Sequence, residues 1–131
     1  MRSEERAVSA QTIRHFTDLH AWQEARLLAA RTYEITKSFP PVEQFGLTNQ
    51  TRRASVSIAA NIAEGFARRT SKDKRGFYQT ALGSLSELES HFRIAEDLKF
   101  VSSAQLQALV EQMIRVGRLI TGLLRSAADR S

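Results

Sequence analysis

Two glutamates and a histidine in apolar stretches are the residues whose types could bind a metal ion. Glu64 ends a run of small apolar residues, and Glu87 and His91 lie four positions apart further along the chain. Di-iron helix bundles project Glu residues and Glu-x-x-His pairs, three positions apart, into a shared core. Here the one pair has a different spacing, and the sequence has no second pair. We therefore predict no metal centre, and nothing in the sequence indicates another cofactor.

Serine and histidine could together perform nucleophilic catalysis, whereas cysteine is absent from the chain. Ser84, Ser86 and His91 lie close together in sequence. An activated serine also needs an orienting acid and donors for the oxyanion, and no Gly-rich loop or strand-to-helix elbow accompanies these residues. Phosphate-binding loops and dinucleotide fingerprints are missing as well. The sequence therefore predicts no catalytic residues, no small-molecule substrate and no enzyme activity.

Positive charge is concentrated in one part of the chain. The formal net charge is +5, from 19 basic and 14 acidic residues. Residues 52–75 contain seven Lys and Arg residues and two acidic ones, so this segment alone carries 7 − 2 = +5. Such a concentration attracts anionic partners, above all the phosphates of nucleic acids. The candidate nucleic-acid-binding residues are Arg52, Arg68, Arg69, Lys72, Lys74 and Arg75.

The same segment has interpretations that involve no nucleic acid. A run of charges is often a solvated turn that keeps a protein soluble, and the protein would then be a structural or protein-interaction scaffold. The neighbouring aromatic residues Phe66, Phe77 and Tyr78 could stack on bases, but their spacing favours burial in the helix core. No motif of a sequence-specific binder is present, so we expect RNA or DNA to be bound through its backbone.

Four polar residues within or beside the apolar stretches are interpreted as structural. A buried amide or charge destabilises a protein unless it is hydrogen-bonded or paired. We therefore expect Glu64 or Glu87 to contact Arg53, Asn61 or a neighbouring subunit. The structural candidates are Arg53, Asn61, Glu64 and Glu87.

Helices are expected to position all of these residues, because the chain is rich in helix-forming residues and has only two prolines. The first helix is placed from Asp18, acting as N-cap, to a stop before Pro40 and Pro41. The second is placed at residues 42–67. It is apolar on nearly all sides, which is more apolar surface than a small monomer can cover, so the sequence predicts self-association.

The third and fourth helices have the clearest apolar period. Thr70 or Ser71 can supply the N-cap of the third, and the fourth follows a break at residues 99–103. Gly83 and Gly117 lie inside these helices, where each costs about 1 kcal/mol relative to Ala. We therefore expect each to admit a close neighbour, a second backbone or an aromatic residue such as Trp22, within the subunit or across an interface. The third helix has a heptad seam of Tyr78, Ala81, Leu85, Leu88, Phe92 and Ala95.

Four amphipathic helices with short loops predict an all-α, antiparallel up-down-up-down four-helix bundle. One domain at residues 16–131 suffices for a chain of 131 residues. A flexible tail is expected at residues 1–15, which carry charges but no apolar signal segment. No stretch is apolar enough to span a membrane. We predict a cytoplasmic location, which the absence of cysteine also favours.

Three segments resemble the 23S rRNA intervening-sequence protein family: FTDLHAWQEA from Phe16, SFPPVEQFGLTNQTRRASVSIAANIAEGFARRTSKDKRGFY from Ser38 and GSLSELESHFRIAEDL from Gly83. The resemblance covers about residues 16–124 and implies a four-helix bundle that forms a ring-like homopentamer. Similarity to the basic accessory variability protein of diversity-generating retroelements implies an RNA or DNA partner. This chain has Ser55 where the family usually has Ala. It has Lys99 where Gly is usual, which argues against a left-handed C-cap on the third helix.

Overall fold

Four α-helices make up most of residues 13–129, the part of the chain that the structure describes. In this computed structural model the helices are α1 (His20–Thr36), α2 (Leu47–Ala67), α3 (Ser71–Asp97) and α4 (Ser103–Asp129). Short 3-10 turns at Phe16–Asp18 and Pro41–Glu43 precede α1 and α2. No strand occurs among residues 13–129, and the all-α prediction is confirmed. The predicted tail lies outside the described residues as far as residue 12, as do residues 130 and 131.

Consecutive helices run in opposite directions. Between α2 and α3 the Ser57 and Ser84 hydroxyls are 2.9 Å apart, and Gly65 lies against Tyr78. Residue number therefore rises along one helix as it falls along the other. The contacts of α4 with α3 and with α1 follow the same inverse order. The result is a bundle in which α1 packs on α2 and α4, and α3 packs on the other side of the same two helices.

The core is built from one face of each helix, as the heptad pattern predicts. All six residues of the α3 seam are buried. Helix α2 contributes Ala54, Ile58 and Ile62 to the core, whereas Val56 on its other side is 46% exposed within the single chain. Within residues 13–129, none of the helices combines the length and apolar character needed to cross a bilayer. The buried residues of α4 are Leu106, Leu109, Met113, Val116, Ile120 and Ala127.

Asp18 does not cap α1, so that prediction is wrong. Its carboxylate instead accepts hydrogen bonds from the backbone N–H groups of Arg14 and His15, at 3.0 and 3.1 Å. These two donors hold the pKa of the Asp18 carboxyl below its ordinary value. Helix α1 begins at His20, and its N-cap, Leu19, provides no side-chain hydrogen bond. Asp18 is thus part of the capping box of the preceding 3-10 turn, whose N-cap is His15.

Helix α2 starts five residues later than predicted. Pro40 is extended and Pro41 opens a 3-10 turn, in which the backbone N–H of Glu43 donates to the Pro40 carbonyl. Gly46 follows with a non-helical backbone. The Glu43 carboxylate then accepts a hydrogen bond from Leu47 N–H at 3.1 Å and so satisfies a free donor at the start of α2. Two prolines and a distant carboxylate cap together explain the later start.

A left-handed residue ends α3 although it is not glycine. Lys99 has φ 65°, its N–H donates to the Glu96 carbonyl, and Phe100 N–H donates to the Ala95 carbonyl. These two hydrogen bonds define a Schellman motif. The expectation that Lys99 argues against such a cap is therefore wrong. The Phe100 ring contacts the ring of buried Phe39, with 5.5 Å between the two ring centroids. This contact helps to hold the turn.

The close approach predicted at helix glycines occurs at a third position, Gly65. A Cβ atom there would lie 2.6 Å from Cε1 of Tyr78, which no side chain tolerates without a shift. At Gly117 a Cβ atom would lie an ordinary 3.4 Å from Leu85. At Gly83 a Cβ atom would meet nothing within 4 Å apart from its chain neighbours and its own helix backbone. Gly83 therefore has no close neighbour within the single chain, and the predicted neighbour would have to come from another copy.

Candidate nucleic-acid interface

The basic junction, defined here as residues 68–75, connects α2 to α3. Helix α2 ends at Ala67, and Arg68 is already extended. Thr70 is the N-cap of α3, as predicted, and its hydroxyl accepts a hydrogen bond from Asp73 N–H at 3.1 Å. The turn is therefore short and fixed at both ends. It brings all five predicted cations of this segment to one end of the bundle.

Two of these cations are held by contacts within the chain. Lys74 Nζ donates to the carbonyl of Phe66 at 2.8 Å, and the Gly65 carbonyl lies 3.4 Å away, so Lys74 caps the C-terminus of α2. The Arg68 guanidinium donates to the Glu64 carboxylate at 2.6 Å. It also lies 4.7 Å from the centre of the Phe77 ring. Both side chains stabilise the junction itself, and this reduces what they can offer to a ligand.

The remaining three cations of the junction point to solvent. Arg69, Lys72 and Arg75 are exposed. Within residues 13–129, no carboxylate lies within 4 Å of their charged groups. Lys72 and Arg75 are three positions apart in the first turns of α3, so they are neighbours on the helix surface. Their location near the N-terminus of α3 adds the favourable field of the helix dipole for an anion.

Arg52 lies away from the basic junction. Its Nε donates to the Thr36 hydroxyl at 2.8 Å, and its guanidinium lies 4.8 Å from the centre of the Tyr33 ring. Arg52 therefore connects α2 to the end of α1, some four turns of helix from Arg68. Arg53, which we expected to be the structural arginine, is exposed instead. It lines a groove between α2 and α3 together with Gln50 and Glu87.

The four structural candidates differ in how far the chain buries them. Asn61 is half-buried, and its amide donates to the Ser57 carbonyl at 2.8 Å and lies 3.0 Å from the Ser57 hydroxyl. The Glu64 side chain is 54% exposed and Glu87 is also exposed. Among the described residues, neither carboxylate contacts Arg53 or Asn61. Glu64 lies on the outer side of α2, which is why it pairs with Arg68 on the next turn.

Glu87 and His91 do not gather further ligands around them. The Glu87 carboxylate lies 3.9 Å from Nε2 of buried His91, whose Nδ1 has no hydrogen-bond partner in the described chain. Residues 13–129 contain no group of three or more carboxylate or histidine side chains arranged to hold a metal ion. The hydroxyl of Ser84, one of the serines considered as a nucleophile, forms a hydrogen bond with the Ser57 hydroxyl on α2.

Two further arginines were missed by sequence reasoning and lie at the same end of the bundle. The segment before α1 and the last turns of α4 meet the basic junction around a groove lined by Ile13, Phe66 and Leu123. Arg14 and Arg125 belong to these segments and are exposed. An up-down bundle places the start of α1, the α2–α3 junction and the end of α4 together, so the topology could have identified them.

Comparison with known proteins assigns the chain to a family. The model of the 23S rRNA-intervening sequence protein family matches residues 17–122, which include the whole basic junction. The chain belongs to this family. The match begins just before α1 and ends within α4, so it includes residues of all four helices. The predicted resemblance is confirmed.

A member of the S23 ribosomal protein family has a similar fold. It is a protein of unknown function from Bacteroides thetaiotaomicron VPI-5482, known from a crystal structure. The TM-score is 0.73, and the similarity covers 80% of this chain and 95% of that chain. The sequences are 17% identical, so the likeness shows the fold alone. No curated protein matches the sequence.

Proposed function

We propose that this protein is a non-catalytic, self-associating bundle that binds the phosphate backbone of RNA or DNA through the basic junction. The proposal rests on three exposed cations, Arg69, Lys72 and Arg75. They lie in one stretch of seven residues at the fixed turn between α2 and α3. Arg68 adds a fourth charge that is partly neutralised by Glu64. Exposed cations without carboxylate partners keep their charge available for phosphates.

A binding assay with two matched variants tests this proposal. The first variant carries Arg69→Gln, Lys72→Gln and Arg75→Gln. The control carries Lys37→Gln, Arg93→Gln and Lys99→Gln, which removes the same charge from the opposite end of the bundle, where α1 and α3 end. We expect the first variant to lose affinity equally for unrelated sequences and the control to keep most of it. Equal losses in both variants would mean that net charge alone attracts nucleic acid.

Self-association is the second part of the proposal, and the outer face of α2 and α3 supports it. Val56 is exposed on α2, and small residues such as Ala60 continue its outer side. On α3, Gly76 and Gly83 face open space within the chain. Helix glycines against which no other part of their own chain packs leave room for the backbone of another copy. Family resemblance gives five as the expected number of copies.

The scaffold alternative is supported by a separate observation at the opposite end. Val42 and Phe45 are 85% and 86% exposed, although the turn that carries them is fixed by backbone hydrogen bonds. Exposed aromatic residues on rigid turns are common anchors of protein interfaces. Phe45→Ser should leave nucleic-acid binding unchanged if the basic junction is the functional site. The scaffold would be favoured if Phe45→Ser abolished the protein's function in cells while the variant with Arg69, Lys72 and Arg75 changed to Gln kept it.

A further inference from the structure

The Phe77 groove begins within the basic junction and continues along the surface of α3. It has a volume of about 350 Å³ and is open to solvent. At Gly76 an added Cβ atom would meet nothing within 4 Å apart from its chain neighbours and its own helix backbone, so no other described part of the chain packs there. The groove is lined by Lys72, Asp73, Gly76, Phe77 and Thr80.

Phe77 is the aromatic residue of this groove, and the chain covers it only in part. The sequence spacing favoured burial in the core for Phe66, Phe77 and Tyr78. Tyr78 is 3% exposed and Phe66 packs against the core, whereas Phe77 is half-buried and lines the open groove. The Arg68 guanidinium lies 4.7 Å from the centre of the Phe77 ring. A guanidinium can cover only one of the two faces of a ring, so this contact does not close the groove.

Two more aromatic rings lie at this end of the bundle, in the segment before α1. The Phe16 ring lies between two others, 4.3 Å from His15 and 5.2 Å from Trp22 between centroids, and it packs against the core. His15 is exposed. Neither His15 nor Phe16 lines the groove that contains Lys72. Phe77 is therefore the ring that shares a groove with an exposed cation of the junction.

The groove offers different contacts to the base and to the phosphates of a nucleotide. Aromatic rings stack on unpaired bases of any sequence. The Asp73 carboxylate would repel a phosphate, but it can accept a hydrogen bond from the amino group of a base. Lys72 lines the groove, and exposed Arg75 lies three positions further along α3. Their positive charges suit the phosphates on either side of a base held against Phe77.

We infer, on the basis of the proposed function, that the Phe77 groove holds an unpaired base of single-stranded RNA or DNA while Lys72 and Arg75 contact its phosphates. The bases of a duplex are stacked on each other and enter such a groove only after being flipped out, which costs unstacking energy. A duplex is therefore bound through its phosphates alone. A single strand gains the additional contact with the ring.

A second copy of the chain suits this groove less well. It would bury the charges of Lys72 and Asp73, which is unfavourable unless both are paired. The contact between copies proposed above can use Gly83 instead. Gly83 lies seven residues beyond Gly76 on α3, a distance of about 10 Å along the helix.

Binding titrations with the full-length protein and three variants test the inference. The probes are unstructured single strands of about 20 nucleotides and duplexes of the same sugar. Phe77→Leu keeps an apolar side chain but removes the ring, and we expect it to weaken single-strand binding at least about fivefold, the effect of one lost stacking contact. Duplex affinity should change less than about twofold. Phe77→Tyr keeps the ring and His15→Ala removes an exposed ring outside the groove, so both should bind single strands like the wild-type protein.

A measurement on the wild-type protein adds a test that does not depend on how the variants fold. A single strand containing 5-iodouracil is photo-crosslinked to the protein, and peptide mapping should place the crosslink within residues 72–80. A crosslink at His15 or at another aromatic residue outside the groove would overturn the assignment.

The outcomes separate this inference from the proposed function. Unchanged single-strand affinity in Phe77→Leu, or equal losses for single strands and duplexes, would overturn the base site while leaving backbone binding in place. A lower oligomeric mass of Phe77→Leu in light scattering would show that another copy occupies the groove and would also overturn it. Absence of binding to every probe at low salt would overturn the proposed function as well.

Discussion

At the scale of single residues, a positive charge contributes to binding only when the fold leaves it available. Lys74 is used to cap the last carbonyls of α2, and Arg68 is paired with Glu64 and packed on Phe77. Arg69, Lys72 and Arg75 have no such contacts within the described residues. The charge pattern of the sequence identified the segment in which all of these cations lie. It could not separate these roles, because they depend on how the first turn of α3 meets the end of α2.

Glu64 allows a test of this division. Both side chains of the Glu64–Arg68 pair are about half exposed. Removing the pair should therefore change the free energy of unfolding by less than about 1 kcal/mol. Within the single chain Glu64 is not buried, so its predicted structural role would need a partner from a neighbouring subunit. Glu64→Gln should also release Arg68 and strengthen duplex binding severalfold. Urea unfolding and a binding titration measure the two effects, and a loss of several kcal/mol would restore the structural interpretation.

Lys99 allows a second prediction at this scale. A residue with a Cβ atom in the left-handed region is strained by roughly 1–2 kcal/mol, whereas glycine is not. Lys99→Gly should therefore stabilise the protein by about 1 kcal/mol in urea unfolding. Lys99→Ala, which removes the charge but keeps the Cβ atom, should not. Equal effects of the two substitutions would mean that charge rather than backbone strain governs this position.

At the scale of the helices, the apolar period was sufficient to predict all four elements and the buried seam of α3. The starts of α1 and α2 were misplaced because they depend on turns closed by hydrogen bonds between residues several positions apart. In particular, Glu43, the last residue of the proline turn, accepts the hydrogen bond that caps α2. The tight contact between α2 and α3 at Gly65 was also missed. No local pattern distinguishes a glycine that faces Tyr78 from one that faces solvent.

Gly65 and Gly83 form a matched pair of substitutions. Gly65→Ala places a Cβ atom against the Tyr78 ring and should destabilise the protein by about 1–3 kcal/mol. Gly83→Ala meets open space within the chain and should raise the intrinsic stability of α3 by about 1 kcal/mol. Thermal or urea unfolding compares them directly. Equal destabilisation by both substitutions would indicate that Gly83 also faces a close neighbour, which must then come from another copy.

At the scale of the whole molecule, the two ends of the bundle differ in character. One end carries the basic junction together with Arg14 and Arg125, and the other carries the exposed apolar residues Val42 and Phe45. Sequence reasoning found the basic end because its charges are consecutive. It could not find the apolar end, because exposure of two residues in a turn is decided by how that turn is closed.

Assembly is the first prediction at this scale. The exposed outer face of α2 and α3 is expected to be covered by other copies of the chain. Light scattering after size exclusion should give about five times the chain mass of 14.7 kDa. A mass of one chain at every concentration would contradict self-association, and Gly83→Trp should reduce the mass if this face is the contact.

The salt dependence of binding is the most direct test of phosphate binding by the basic junction. The affinity of the wild-type protein for a generic duplex is measured between about 50 and 200 mM salt, beside the variant in which Arg69, Lys72 and Arg75 are Gln. Each phosphate contact contributes about 0.9 to the slope of log K against log salt, so the variant's slope should be shallower by about 2 to 3. The melting temperature and the oligomeric mass should stay the same. Identical slopes for the two proteins, or no binding by the wild-type protein at the lowest salt, would contradict phosphate binding by these three residues.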